Sequence, residues 1–240
     1  MLGLPDGITA CLFDLDGVLT DTASVHRRAW KQTFDEVLRH FGDTNEFTVE
    51  DYAEYVDGKP RSDGVRDFLA SRGITLPEGS PDDKPGENTV YGVGNQKNQL
   101  LLDVIASDGV TVYEGSRRYL EAARQAGMRR VVVSSSANTK QVLEVTGLDE
   151  LVEGRIDGVS LHTQHLRGKP APDSFWAGAA LVGTVAEKAA VFEDATSGVQ
   201  AGRDGRFGFV VGVNRLDDAH GQALKEQGAS VVVTDLADLL

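Results

Sequence analysis

The chain has 240 residues, 40% of them apolar and 25% charged, and it carries a formal net charge of −13 at pH 7. These proportions are ordinary for a folded globular protein and exclude a fibrous or largely disordered chain. A strongly acidic molecule repels polyanions, so nucleic acid and anionic membranes are not expected as main partners, although a local basic pocket can still bind a small anion.

The N-terminal segment and the cysteine content bear on the compartment. The first seven residues lack the basic and long apolar regions of a secretory signal peptide. No apolar stretch reaches the roughly 20 residues that a membrane-spanning helix needs. Cys11 is the single cysteine and cannot form an internal disulfide, which fits a reducing compartment. We therefore expect a cytoplasmic protein.

The first predicted element is a short buried strand at residues 9–13, which ends at Asp14. From about residue 23 to 107, apolar residues recur at helical spacing with no convincing strand between them. We predict an all-helical insert here. A segment rich in Gly, Pro and Asp at residues 77–94 is predicted to be a surface loop within that insert.

After the insert, strand and helix patterns alternate to the end of the chain. Short β-branched runs predict strands at 130–134, 189–193, 209–213 and 230–234. Helical patterns occupy residues such as 116–126, 138–146 and 173–182. This alternation predicts an α/β fold with a doubly wound parallel sheet, built from residues 1–22 and 108–240 around the insert at 23–107.

Polar residues stand where three of the predicted strands end. Asp14 follows the first strand, Ser134 closes the second, and Glu193 and Asp194 close the third. In an open parallel sheet, ligands bind outside the carboxyl ends of the strands, so these side chains should meet at one edge. The sequence therefore predicts an acidic site at that edge.

Three familiar motifs do not explain this site. An EF-hand starting at Asp14 would need glycine and glutamate where Leu19 and Val25 stand. A phosphate-binding loop around Lys169 would need a glycine in place of Thr163 and a hydroxyl residue in place of Pro170. The glycines at 92 and 94 lack the third glycine of a dinucleotide fingerprint, so no redox cofactor is indicated.

The residue types at the predicted edge suit phosphoryl transfer. That reaction needs a nucleophile in line with the phosphorus, a cation, fixed donors for the phosphoryl oxygens and a group that moves a proton. An aspartate such as Asp14 can take the phosphoryl group as an acyl phosphate. Carboxylates are good Mg²⁺ ligands, and Ser134 and Lys169 can neutralise the remaining charge.

Four segments resemble the motifs of the haloacid dehalogenase superfamily. Phe13–Thr22, with the sequence Phe-Asp-Leu-Asp-Gly-Val-Leu-Thr-Asp-Thr, resembles the first motif, Ser134 the second, Lys169 the third, and Glu193 with Asp194 the fourth. The resemblance runs from about residue 10 to about 213. It implies a Rossmann-like core with the helical insert as its cap.

The resemblance also implies a role for each motif residue. Asp14 would be the nucleophile and Asp16 the general acid and base, with Ser134 and Lys169 completing the catalytic set. Asp14, the backbone carbonyl of Asp16 and Asp194 would bind Mg²⁺, with Glu193 beside them.

Within the superfamily, the chain is most similar to the β-phosphoglucomutase-like family. Thr22, His26 and Trp30 resemble that family's hinge and first cap helix, although Trp30 also fits the apolar stripe of the helix. Gly58 and Arg61 resemble a cap loop that contacts sugar and distal phosphate, but Asp57, Lys59 and Pro60 depart from its pattern. The full set of implied substrate-binding residues is Thr22, His26, Trp30, Gly58, Arg61, Lys97, Ser135, Ser136 and Asn138.

The resemblance implies an enzyme that acts on a small phosphorylated sugar, and we expect this enzyme to be a monomer. It would interconvert β-D-glucose 1-phosphate and glucose 6-phosphate, with glucose 1,6-bisphosphate as intermediate and activator. A Mg²⁺-dependent sugar-phosphate phosphatase is the first alternative, because the same core motifs serve hydrolases. The second is a non-catalytic sugar-phosphate-binding regulator, whose signature would be loss of the nucleophile, whereas Asp14 is present.

Overall fold

The computed structural model describes residues 2–240, apart from the side chains at positions 23 and 108. In chain order the strands and helices are β1 (Ala10–Phe13), α1 (Ala23–His40), α2 (Val49–Asp51), α3 (Arg61–Ser71), α4 (Val90–Asp108), α5 (Glu114–Gln125), β2 (Arg129–Val133), α6 (Thr139–Thr146), β3 (Gly154–Ile156), α7 (Gly158–Thr163), α8 (Asp173–Leu181), β4 (Ala189–Glu193), α9 (Thr196–Asp204), β5 (Phe209–Val213), α10 (Asp218–Gln227) and β6 (Val231–Val233). A π-helical turn, Tyr52–Val56, continues α2. The chain divides into two compact units, Met1–Asp21 with Val110–Leu240 and Thr22–Gly109.

The first unit, which the family resemblance implies is the catalytic core, is built on one six-stranded sheet of order β3-β2-β1-β4-β5-β6, in which all neighbouring strands are parallel. The two strands that flank β1, which are β2 and β4, therefore come from much later in the chain. This arrangement confirms the predicted α/β fold with a parallel sheet. The three-residue strand β3 was not predicted, because Gly-Arg-Ile contains no apolar run and lies at the sheet edge.

Helices cover both faces of this sheet. Side chains alternate between the faces of a strand, and the two faces of β1 meet different helices. Leu12 belongs to a buried cluster with Phe175 of α8, whereas Phe13 meets Tyr119 of α5 edge to face, with ring centroids 6.1 Å apart. The strand is apolar throughout because both of its faces are buried. The sheet is thus doubly wound, as predicted.

The second unit, the helical insert, has a separate hydrophobic core. Aromatic rings of α1 and α3 pack directly, with the centroids of Phe34 and Phe68 4.3 Å apart. The prediction of a loop over residues 77–94 is wrong for residues 90–94, because α4 begins at Val90. Thr89 caps this helix by accepting a hydrogen bond from the backbone N–H of Gly92 at 2.9 Å. The glycines at 92 and 94 concealed a helix start that the threonine cap stabilises.

In the part of the chain that the structure describes, no helix is both long and apolar enough to cross a membrane.

Candidate functional site

The predicted acidic edge is assembled by neighbouring strands of the catalytic core. The backbone N–H of Asp14 donates to the carbonyl of Phe192 at 2.9 Å, which places Asp14 beside the end of β4. The N–H of Ser134 donates in the same way to the carbonyl of Ile156 at 2.9 Å, at the end of β3. Parallel pairing therefore brings Asp14, Ser134 and Glu193 to the same edge of the sheet.

Lys169 reaches this edge from the loop before α8. Its Nζ lies 2.5 Å from Oδ1 of Asp14, 2.6 Å from Oε1 of Glu193 and 3.1 Å from the carbonyl oxygen of Val133. These three contacts use the three protons of the ammonium group. The ammonium also lies 4.9 Å from the centre of the Phe175 ring, which adds a cation–π contact.

Burial makes the charges of this site interdependent. Lys169 is 2% exposed, Asp14 is 6% exposed and Glu193 is fully buried. Burial raises the pKa of Asp14, and the Lys169 ammonium opposes that rise. For Lys169 itself, burial lowers the pKa, but the carboxylates of Asp14 and Glu193 outweigh burial and raise it. The lysine therefore stays charged at the edge of the sheet.

The donor set fits a magnesium ion. Asp14, Glu193 and Asp194 each offer a carboxylate oxygen, and these atoms lie within 4.8 Å of one another. Three carboxylates against the single ammonium of Lys169 leave two negative charges, which a divalent cation would balance. Hard carboxylate oxygens are the ligands that Mg²⁺ prefers.

The segment Asp14–Thr20 carries the two aspartates that are expected to be catalytic and is here called the catalytic loop. It turns sharply after β1. Gly17 has the left-handed φ of +84°, and its N–H donates to the carbonyl of Thr20 at 2.8 Å. A Cβ at position 17 would lie 1.8 Å from Oδ2 of Asp194. Only glycine therefore allows the loop to pass this close to an acidic residue. Asp16 forms an isolated β-bridge with Thr20 within the loop.

A second loop follows β2 and contains the predicted residues Ser134, Ser135, Ser136 and Asn138. The Ser134 hydroxyl accepts a hydrogen bond from the N–H of Ser136 at 3.0 Å, and the Ser136 hydroxyl accepts one from the N–H of Asn138 at 3.2 Å. Gly158 lies against this loop, where a Cβ would approach the Ser135 carbonyl oxygen to 2.7 Å. Hydrogen bonds and close packing thus fix the loop.

In the helical insert, three of the predicted residues are in contact. Lys97 is 4% exposed, and its Nζ lies 2.9 Å from Nδ1 of His26 and 5.1 Å from the centre of the Trp30 ring. An ammonium group can only donate, so Nδ1 of His26 accepts and its ring proton is on Nε2. Trp30 is 3% exposed and stacks on Phe34, so the structure places its ring in the core of the insert. Thr22 lies directly before α1, and its carbonyl accepts from the His26 N–H at 2.8 Å.

Gly58 and Arg61 lie at the start of α3. Gly58 is within a turn that the Lys59 N–H closes by donating to the Val56 carbonyl at 3.1 Å, and Arg61 is the first residue of the helix. Burial lowers the pKa of Arg61. Among the side chains that the structure describes, no carboxylate forms an ion pair with this guanidinium. A half-buried arginine without an anionic partner is a candidate phosphate ligand.

Two polar residues that follow β5 also contact this site and were not predicted from the sequence. His220, at the start of α10, donates from Nε2 to the backbone carbonyl of Asp194 at 2.8 Å. Arg215 donates from Nε to the carbonyl of Gly17 at 2.9 Å. Both lie beyond a strand that ends at the acidic edge, and that position was the signal that could have revealed them.

Comparison with known proteins shows which family this chain resembles over most of its length. A model of the haloacid dehalogenase-like hydrolase family matches residues 8–205. The β-phosphoglucomutases of Mycobacterium bovis and Mycobacterium tuberculosis are each 57% identical over 247 residues, covering 100% of this chain and 94% of each relative. A phosphorylated carbohydrates phosphatase of Thermotoga maritima is 25% identical, covering 93% of both chains. The crystal structure of a β-phosphoglucomutase from Clostridium difficile superposes with a TM-score of 0.76 at 23% identity, covering 97% of this chain and 93% of that one.

Proposed function

Because the chain belongs to the haloacid dehalogenase-like hydrolase family, we propose that it is a β-phosphoglucomutase, which interconverts β-D-glucose 1-phosphate and glucose 6-phosphate. The observation that carries this proposal is the 57% identity to the mycobacterial β-phosphoglucomutases over the full length of this chain. The alignment includes the catalytic core and the helical insert alike. The resemblance that the four motifs indicated is confirmed by the family match.

The proposed reaction has two phosphoryl transfers. Phosphorylated Asp14 first gives its phosphoryl group to the 6-hydroxyl of β-D-glucose 1-phosphate, so the acyl phosphate bond breaks, a bond to the sugar O6 forms and Asp16 accepts the hydroxyl proton. The product is β-glucose 1,6-bisphosphate. After the bisphosphate turns round, Asp14 attacks its 1-phosphate and Asp16 returns the proton to the departing O1. Glucose 6-phosphate leaves, and the phosphorylated enzyme is regenerated.

The bisphosphate is therefore both intermediate and activator, since it also loads Asp14 at the start. Lys169 and Ser134 are proposed to bind the oxygens of the transferring group. The contact of Lys169 with Asp14, at 2.5 Å, supports this role because the ammonium lies beside the proposed attacking carboxylate.

The metal ligands proposed from this site are Asp14, the backbone carbonyl of Asp16 and Asp194, with Glu193 beside them. When bound, Mg²⁺ supplies positive charge that stabilises the phosphoryl oxygens during transfer. Glu193 is held by the Lys169 ammonium and by the N–H of Ala195, which donates to Oε2 at 2.8 Å. Its two oxygens are thus oriented by the protein itself.

The helical insert is proposed to bind the phosphate that is not being transferred. Arg61 has no carboxylate partner among the described residues, and Lys97 is a buried cation whose charge the face of Trp30 stabilises. The remaining contacts with the sugar and its phosphates are assigned to Thr22, His26, Gly58, Ser135, Ser136 and Asn138. In this proposal Trp30 acts through Lys97, because its ring is buried.

The phosphatase alternative is less favoured, since the similarity to the mutases is far greater than that to the Thermotoga maritima phosphatase. A non-catalytic regulator is also less favoured, because Asp14 and Lys169 are present and in contact. The proposed substrate is a small phosphorylated sugar, handled by a monomer in the cytoplasm.

Phosphorus NMR tests the reaction directly. The chain is incubated with β-D-glucose 1-phosphate, Mg²⁺ and a trace of glucose 1,6-bisphosphate. We expect the substrate resonance to be replaced by that of glucose 6-phosphate, and omission of the bisphosphate to delay turnover. Release of inorganic phosphate in place of glucose 6-phosphate would identify a phosphatase. No change in the spectrum with the bisphosphate present would contradict both enzymatic functions.

A further inference from the structure

Arg215, in the loop after β5, binds the catalytic loop through its backbone. Its Nε donates to the carbonyl of Gly17 at 2.9 Å and its Nη2 to the carbonyl of Val18 at 3.4 Å. Its Nη1 donates to the carbonyl of Thr234 at 2.8 Å, in the segment after β6. The side chain is 15% exposed, so one mostly buried guanidinium joins three separate carbonyls.

Two neighbours hold this guanidinium in place. Its central carbon lies 3.7 Å from the centre of the Tyr113 ring, and Nη1 lies 3.6 Å from Oδ2 of Asp235. The Tyr113 hydroxyl donates to Oδ1 of Asp21 at 3.1 Å. The planar head group is thus stacked on one side and paired with an acid at its end, a geometry that a lysine ammonium does not reproduce.

Arg215 fixes carbonyls that the catalytic loop cannot satisfy by itself. Inside the loop, the N–H groups of Leu19 and Thr20 both donate to the carbonyl of Leu15. The carbonyls of Gly17 and Val18 receive donors from elsewhere, and for Val18 one of these is the buried hydroxyl of Ser116 at 2.6 Å. For the Gly17 carbonyl, the structure gives Arg215 as the donor.

The contact of Arg215 with the catalytic loop bears on Asp16 more than on Asp14, the other proposed catalytic aspartate. Asp14 is held independently of Arg215, by its backbone bond to Phe192 and by Lys169. Gly17 directly follows Asp16, so the carbonyl that Arg215 anchors lies one residue beyond the Cα from which the Asp16 side chain extends. A change of about 1 Å in the position of a catalytic group can cost about 10²-fold in rate.

We propose that Arg215 is a positioning residue that holds Asp16 in place for proton transfer, through the Gly17 carbonyl. This inference rests on the proposed function. It assigns Arg215 no contact with substrate and no share in binding the transferred phosphate.

The test compares two phosphoryl donors that differ in their need for a proton. The sugar oxygen exchanges a proton with Asp16 in each transfer, whereas acetyl phosphate loses acetate, a stable anion that needs no protonation to depart. We expect Arg215→Ala to lower kcat of mutase turnover by about 10–100-fold and to change KM by less than about threefold. Phosphorylation of Asp14 by acetyl phosphate should stay within about threefold of wild type.

Arg203 offers a matched control in the same unit. Its Nη1 donates to the carbonyl of Gln227 at 2.9 Å and its Nε to Asp204 at 2.9 Å, away from the catalytic loop. Arg203→Ala removes the same charge and an equivalent carbonyl bond, so both reactions should remain at the wild-type rate. Arg215→Lys keeps the charge but not the fork of donors, so its mutase turnover should lie between that of Arg215→Ala and that of wild type. This variant also provides the test if Arg215→Ala does not fold.

Wild-type mutase turnover in Arg215→Ala, or equal losses with both phosphoryl donors, would overturn the positioning role. Failure of the proposed function looks different, because wild type itself would then form no glucose 6-phosphate. If wild type instead hydrolyses sugar phosphates, the same comparison of sugar phosphate with acetyl phosphate applies, since the sugar oxygen still needs its proton.

Discussion

Asp14 serves two purposes at the acidic edge, as the proposed nucleophile and as one of the two carboxylates that compensate the buried charge of Lys169. Asp14→Asn removes the nucleophilic oxygen and one negative charge together. We expect no phosphorylated protein and no turnover from this variant. The measurement is incorporation of labelled phosphate from acetyl phosphate, followed by quenching in acid. Labelling at the wild-type rate would place the nucleophile at another residue.

Asp16→Asn should behave differently, because the proposed metal ligand at this position is the backbone carbonyl. We expect Mg²⁺ binding, measured by calorimetry, to remain close to wild type. Turnover of β-D-glucose 1-phosphate should fall by ~10²–10⁴-fold, the usual contribution of a positioned acid or base. Equal loss of Mg²⁺ affinity in Asp14→Asn and Asp16→Asn would refute this division of roles.

Asp14, Ser134 and Glu193 were predictable because each stands at the end of a short apolar run typical of a buried strand, whereas Lys169 lies in a loop and was predicted only from the motif resemblance. The edge on which Asp14, Ser134 and Glu193 meet follows from parallel pairing alone. Arg215 was not predictable in the same way. Its role depends on backbone carbonyls of a loop about 200 residues earlier in the chain. Every residue has a backbone carbonyl, so the sequence does not indicate which of them an arginine will bind.

At the scale of elements, the catalytic loop depends on a glycine at its turn. Gly17→Ala forces a side chain into left-handed backbone and toward the Asp194 carboxylate, 1.8 Å from the added Cβ. We expect unfolding free energy to fall by about 1–3 kcal/mol and turnover to fall at least tenfold. Gly127→Ala is the control, since Gly127 has a φ of +73° at the end of α5 and nothing within 4 Å of the added Cβ. It should lose stability by about 1–2 kcal/mol and keep its activity; equal turnover in the two variants would show that the close approach is not needed.

Two elements, β3 and the first turn of α4, were not predicted from the sequence, and the reason is the same for both. The strand β3 and the first turn of α4 are rich in residues that ordinarily weaken a strand or a helix, and each is stabilised by its surroundings. For α4 the cap at Thr89 provides that stabilisation. For β3, pairing along β2 does so, from Val131 opposite Gly154 to Val133 opposite Ile156. Local pattern is a weak guide where pairing or capping decides the conformation.

At the scale of the whole molecule, the mutase and phosphatase functions differ in how many phosphates must be bound at once. A bisphosphate needs a cationic site for its second phosphate. Acetyl phosphate has no second phosphate and does not need such a site. We expect Arg61→Ala and Lys97→Met to cut mutase turnover by about one to two decades, since a charge-assisted hydrogen bond contributes ~1.5–3 kcal/mol. Hydrolysis of acetyl phosphate should stay within a few-fold of wild type.

Lys59→Ala is the matched control for these two variants. Lys59 is a cation of the same segment, but its Nζ is already paired with Asp67 at 2.7 Å. It should leave mutase turnover unchanged. If Arg61→Ala lowers both reactions equally, or neither, the second phosphate site is elsewhere. The sequence supplied these residues only through a family resemblance, because two isolated cations in a helical region carry no pattern that distinguishes them from solvated charges.

The placement of the insert also sets the order in which the sheet can form during synthesis. The ribosome produces β1 first, but its two partners begin at Arg129 and Ala189, and the whole insert is made before either. All four side chains of β1 are fully buried in the finished protein. Long-range pairing is slow and leaves apolar segments unpaired meanwhile. The nascent chain must therefore carry an unpaired apolar strand through the translation of an entire helical unit, and that interval is when a chaperone has a segment to bind.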